Sequence, residues 1–180
     1  MTHPMKKLLA LLLLTSALAA HADAPVYGVE LQGFDYPVPV ASFTFTAQGQ
    51  SMHMAYLDYQ PKEANGHAVV LLHGKNFCAA TWHDTSQMLQ QAGFRVIVPD
   101  QIGFCKSSKP DNYSYRFAGL ADNTHALLKS LNIDKVTLIG HSMGGMLATR
   151  YALMFPQEVT QLVMVNPLGL EDWKALGVPS

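Results

Sequence analysis

The chain has 180 residues, a formal net charge of −1, 49% hydrophobic residues and only 14% charged ones. That length supports one domain with a real core, and near-neutral charge without a basic patch excludes a nucleic-acid binder. So little charge also points to strands buried on both faces.

Residues 1–22 read as an export signal. Lys6 and Lys7 precede the leucine run Leu8–Leu14, small residues follow, and Ala20-His21-Ala22 fits a small-x-small cleavage site. The apolar stretch is shorter than the roughly 20 residues of a membrane-spanning helix, and no cysteine near the cut offers a lipid anchor. The expectation is a periplasmic or secreted protein without a stable membrane anchor, with about 158 mature residues from Asp23 onward.

Residues 23–39 are Pro- and Gly-containing and read as an extended lead-in, so the domain proper is expected over 40–180. Val40–Ala47 and Ser51–Tyr59 alternate about Gly49 and predict an antiparallel hairpin. Ala68–Leu72 is an unbroken apolar strand. Thr81–Gln91 is a helix with Trp82, Met88 and Leu89 on its apolar side, stopped by Gly93. Phe94–Val98 is a strand, followed by a Gly/Ser/Pro loop from Asp100 to Asn112. Phe117–Leu131 is a helix burying Leu120, Leu127, Leu128 and Leu131. Val136–Ile139 is a strand, Met143–Phe155 a helix stopped by Pro156, and Val159–Val165 another strand. A final helix is expected to begin at Glu171. Alternation of strand and helix with short connections predicts an α/β fold: a mostly parallel sheet with helices on both faces. Ligands in such sheets gather beyond the carboxyl ends of the strands. His73–Ala80, Asp100–Pro110 and Gly140–Gly144 all lie at such ends.

Gly140-His141-Ser142-Met143-Gly144 joins a buried strand to an apolar helix. A serine at such an elbow adopts strained backbone angles that turn its hydroxyl outward, and glycines two residues either side let strand and helix pass closely. Ser142 is the candidate nucleophile. The following helix directs free N–H groups and its positive end toward the site, so the Met143 amide is the candidate first oxyanion donor. The loop His73-Gly74-Lys75-Asn76 offers the second, Lys75 being preferred and Asn76 the neighbouring alternative. The His73 ring is read as a loop-fixing group, and Trp82 as a packing residue. No phosphate loop is present.

Cys78 and Cys105 each follow a predicted strand and share one end of the sheet. A disulfide is possible in an oxidising compartment, and two free buried thiols are equally consistent with the sequence. Their spacing suits neither a redox pair nor a zinc site, and no cofactor or metal is expected.

Three blocks together resemble the α/β-hydrolase fold family, over roughly residues 40–170. Leu72-His73-Gly74 resembles the family's oxyanion loop, with Trp82 where a tryptophan often follows. Asp100-Gln101-Ile102-Gly103-Phe104-Cys105-Lys106-Ser107 resembles its Asp-x-x-Gly-x-Gly-x-Ser loop, with Cys105 replacing the second glycine. Gly140–Gly145 resembles its nucleophile signature, most closely in the peroxidase, esterase and C–C hydrolase branch. The resemblance implies a three-layer sandwich and a serine hydrolase acting through an acyl-enzyme. Serine at 142 argues against the epoxide and haloalkane branches, which use aspartate there, and Asp100 is expected to shape its loop.

A serine hydroxyl needs a base. The family order is serine, acid, histidine, and the chain ends before the usual positions of the last two. His67, His73 and His83 precede the serine, His125 lies on an outer helix, and the elbow turns His141 aside. Glu171 and Asp172 are the available carboxylates near the rim, because a few relatives place the acid after the strand that ends here before Asn166. The expectation is therefore a C-terminally truncated domain, with Val159–Val165 as an exposed apolar edge. The substrate expected of the intact protein is a small uncharged ester or related acyl compound. The alternative is a non-catalytic binding or structural fragment of the same fold. Sequence leaves substrate, lid and oligomeric state open.

Overall fold

The computed structural model describes residues 25–171, 175 and 177. The proposed signal and its cleavage site lie outside the described residues, as does the course of a helix from Glu171 past Asp172. Residues 25–40 run through turns without regular structure.

Strands β1 (Ala41–Ala47) and β2 (Gln50–Tyr59) form the expected hairpin, pairing Phe43 with Met54 and Phe45 with Met52. Gln48 and Gly49 connect them, both at positive φ (49° and 73°). Two such residues give the turn whose twist matches paired strands. Then come β3 (Ala68–Leu72), a 3₁₀ turn (Ala79–Trp82), α1 (His83–Gln91), β4 (Arg95–Pro99), α2 (Phe117–Ser130), β5 (Val136–His141), α3 (Met143–Met154) and β6 (Val159–Val165). The six strands lie in the order β1-β2-β4-β3-β5-β6. β1, β2 and β4 pair antiparallel; β4, β3, β5 and β6 run parallel.

Side-chain alternation divides the core between two faces. Val70, Leu72, Ile97 and Leu138 point to the side covered by α2 and α3, where they meet Leu120, Leu127, Leu128, Leu147 and Tyr151. Val69, Leu71, Val96 and Val98 point to the other, against Ala79, Trp82 and Leu89. The architecture is thus a three-layer α/β sandwich on a mostly parallel sheet.

Two local expectations change. The helix predicted from Thr81 is a 3₁₀ turn followed by an α-helix from His83, because the Ala79 amide donates to the Asp100 carboxylate at 2.7 Å and ties the first turn to a neighbouring loop. Met88, expected on the apolar side, is 71% exposed. Trp82 and Leu89 cover the sheet without it. Among the described residues the last strand forms an exposed edge: β6 pairs with β5 alone, and Leu162, Val163, Met164 and Val165 are 36–41% exposed.

Candidate active site

β5 is buried on alternate residues and delivers the chain into the elbow beside β3. Ser142 takes φ 54° and ψ −118°, a region that a side chain enters only at a cost of order 1–3 kcal/mol. Neighbouring backbone holds it there. The Ser142 amide donates to the Val165 carbonyl at 3.1 Å. The Ser142 carbonyl accepts from the amides of Gly145 at 3.0 Å and Leu168 at 3.3 Å. Ser142 is also the N-cap residue of α3, a position where serine usually bonds a first-turn amide through its hydroxyl. Here the hydroxyl makes no capping bond.

The flanking glycines are required by space. A Cβ on Gly140 would collide with the backbone of Gly144, and one on Gly144 with the carbonyl of Leu72, so the first turn of α3 rests directly on the end of β3. A Cβ on Gly145 would lie 2.7 Å from that of Pro167.

The loop after β3 comes to the same place. A Cβ on Gly74 would stand 3.1 Å from the Ser142 Cβ and 3.0 Å from His141 Nδ1. The Phe77 amide closes a turn on the Gly74 carbonyl at 3.2 Å, with Asn76 at φ 68°. Lys75 and Asn76 are the central residues of that turn, so its closing bond uses neither amide. The Met143 amide, first in its helix, has no intrahelical acceptor. The structure brings Ser142, Met143 and the Lys75 turn together at the carboxyl end of the sheet. Phe77 is 44% exposed, and its ring meets His141 edge-on at 5.5 Å.

His73 is buried, and its two nitrogens are both engaged. The Gln101 amide donates to Nε2 at 3.0 Å, which requires a lone pair there, and Nδ1–H donates to the Gly74 carbonyl at 2.9 Å. The ring is therefore neutral, in agreement with burial driving its pKa below the usual value. Its basic nitrogen is occupied by backbone, so it joins two loops and cannot accept a proton from Ser142.

Asp100 is fully buried and serves three donors from separate segments: Tyr36 Oη at 2.6 Å, the Ala79 amide at 2.7 Å and the Lys106 amide at 3.1 Å. Ser107 Oγ donates to its carbonyl at 2.6 Å. Burial, followed by the bond to Asp100 and its negative charge, drives the Tyr36 phenol far above its usual pKa. Cys78 and Cys105 form a disulfide with Cα atoms 5.8 Å apart. Cys105, in place of the expected glycine, sits at φ 47°. With both sulfurs in that bond, the close grouping of Cys78, Cys105 and Asp100 offers no thiolate to a metal.

Other described histidines are engaged elsewhere. His53 lies against Ser108 and the Lys106 carbonyl, His83 against the Tyr59 hydroxyl, His67 beside Phe94, and His125 pairs with Glu158 at 3.0 Å. Glu171 is exposed; Asp172 lies outside the described residues. Sequence reasoning missed Tyr36, whose partner Asp100 lies 64 residues away, and Glu158, whose partners include His125 33 residues away. Open depressions of about 430 and 490 Å³ lie away from Ser142. The first is lined by Gly66, His67, Arg95 and Lys135 at the amino-terminal ends of the strands, the second by Lys62, Glu63, Gln90 and Gln91.

Residues 67–178 match the model of the alpha/beta hydrolase fold family. A probable hydrolytic enzyme of Pseudomonas aeruginosa is 63% identical, with a TM-score of 0.85 over 87% of this chain and 50% of its own. A structure from work on carboxylesterases of Nitrososphaera gargenis is 30% identical, with a TM-score of 0.65 over 74% of this chain and 48% of its own. Among curated proteins, a cis-3-alkyl-4-alkyloxetan-2-one decarboxylase of Shewanella oneidensis is 32% identical over 135 residues, 73% of this chain and 40% of that protein. An uncharacterized protein of Mycobacterium tuberculosis is 39% identical over 106 residues, 59% of this chain and 30% of its own. The chain thus spans between about a third and a half of the length of these relatives. Fold, elbow and family match agree: this chain belongs to the α/β-hydrolase fold family.

Proposed function

We propose that this chain carries the nucleophile half of a serine hydrolase acting on a carboxylic ester or related acyl compound. The observation that carries this reading is Ser142, held at positive φ at the head of α3 with its hydroxyl free of a capping bond and its Cβ close against Gly74. Ser142 Oγ attacks the acyl carbonyl, and the amides of Met143 and Lys75 receive the negative charge that develops on its oxygen. Water then releases the acid from the acyl-enzyme. The neighbour described in connection with carboxylesterases supports the ester class, and exposed Phe77 beside the elbow suits an uncharged, apolar substrate.

The base and its acid partner are assigned to sequence beyond residue 180. In support, His73 has no free lone pair, and the other histidines described above, His141 apart, are engaged away from Ser142. The edge of β6, unpaired among the described residues, and the half-length match to the P. aeruginosa structure favour the same reading. The 180 residues alone would then turn over substrate negligibly. Export to the periplasm or beyond is proposed from the leader-like residues 1–22, and the disulfide suits an oxidising compartment.

An uncharged fluorophosphonate probe, applied to the protein carried past residue 180 so that the proposed base is present, tests the nucleophile. Peptide mapping should find the adduct on Ser142, and Ser142→Ala should abolish it while leaving the fold intact. Soluble, folded protein that takes no label would favour the non-catalytic binding fragment instead.

A further inference from the structure

The loop that passes Ser142 is not held by its own residues. One backbone bond closes the Gly74–Phe77 turn and another runs from the Thr81 amide to the Cys78 carbonyl, and Lys75, Asn76 and Phe77 between them are all exposed. Its far end is fastened twice to the loop after β4: covalently, through Cys78 to Cys105, and by the Ala79 amide on the Asp100 carboxylate. The near end is fastened through the His73 ring to the Gln101 amide. On the receiving side, Cys105 occupies a left-handed conformation that disfavours a side chain. A Cβ is tolerated there because the bridge requires one. Lys106, the next residue, donates its amide to Asp100, lays its ammonium 5.0 Å from the Tyr36 ring centre and donates to the Leu31 carbonyl. The lead-in segment is thereby drawn onto the same point.

We propose that the Cys78–Cys105 disulfide is a positioning device for the site: it fixes the loop carrying the Lys75 amide against Ser142, and opening it slows acylation without unfolding the domain. The proposal rests on the nucleophile reading above only in its second part. A dithiol reductant opens the bridge by two exchanges: its sulfurs become a disulfide, and Cys78 and Cys105 each gain a proton as thiols. The loop then keeps its bonds at His73 and Ala79 but loses the covalent stop between them. The amide of Lys75 can thus leave the position where an oxyanion would form, while the core under β3 and β5 is untouched.

Two measurements on the protein carried past residue 180 test this, with and without dithiothreitol, and repeated on the Cys78→Ser/Cys105→Ser double variant. Hydrogen exchange should accelerate at least tenfold at the bonded amides of Phe77, Phe104, Lys106 and Ser107, while β3 and β5 stay protected. The first-order constant for fluorophosphonate labelling of Ser142 at saturating probe should fall at least tenfold, with the half-saturating concentration unchanged, and should recover on reoxidation. Loops that stay protected overturn the proposal, as does exchange that rises throughout the sheet. Loosened loops with undiminished labelling refute the positioning role. Loosened loops in a protein that takes no label even when oxidised refute the nucleophile instead and leave the loop tether standing.

Discussion

A methyl group on Gly144 has nowhere to go. It would enter the carbonyl of Leu72, which is backbone in the middle of a parallel sheet, so neither partner can yield by changing rotamer. Gly144→Ala should therefore cost at least the upper end of the roughly 1–3 kcal/mol typical of overpacking. Gly66 is the control. It has φ 79° but nothing within 4 Å of an added Cβ, so Gly66→Ala should cost only the roughly 1–2 kcal/mol of a left-handed alanine. Urea unfolding of the two variants measures the difference, and equal losses would refute the steric account of the elbow. Both glycines of the elbow were legible in the sequence because the reason for them is local. A strand, a strained residue and a helix within five positions leave no room for side chains, whatever the rest of the chain does.

At the scale of elements, the least local contact has the clearest consequence. Glu158 stands just ahead of β6 and accepts from Tyr151 Oη on α3 at 2.7 Å, with His125 at 3.0 Å and Lys129 at 3.0 Å, both on α2. The His125 ring stacks on Phe155 with centroids 4.0 Å apart. One carboxylate thus joins two helices to the start of the edge strand. Burial alone would push its pKa up, but hydrogen bonds from Tyr151, Lys129 and His125 outweigh it and leave the group below its usual 4.5. A carboxyl depressed on folding contributes stability above its unfolded pKa and loses it as pH falls through the folded one. Wild type should therefore exceed Glu158→Gln in stability at neutral pH, and the gap should close as pH falls below about 4.5. Chemical denaturation at several pH values checks this; a gap independent of pH would mean that the carboxylate's charge contributes nothing. None of this network was legible beforehand. Its partners meet only once α2, α3 and β6 are stacked, and stacking has no signature in residue spacing. The disulfide was half legible for the same reason: order along the chain put both cysteines at one end of the sheet, but only the packed loops bring their Cα atoms to 5.8 Å.

For the whole molecule, the edge at β6 decides behaviour in solution. Among the described residues its backbone is paired with β5 alone, and four consecutive apolar residues stand more than a third exposed. Such an edge is a template for another chain. The 180-residue polypeptide should associate in a concentration-dependent way, and Val163→Lys should shift sedimentation toward monomer with little change in unfolding midpoint. Monomeric behaviour of the unsubstituted chain at high concentration would contradict this. The exposed edge was anticipated from sequence, since an apolar run at the end of a parallel series has only one neighbour in the order of strands. The turn that follows β6 was not. Through Ser142 it is bonded at Val165 and Leu168, and through Gly145 it touches Pro167. The turn and the elbow accordingly share one set of backbone contacts. A substitution at Pro167 or Leu168 would therefore also disturb the backbone bonds that set the Ser142 elbow, so the segment after β6 and the elbow cannot be altered independently.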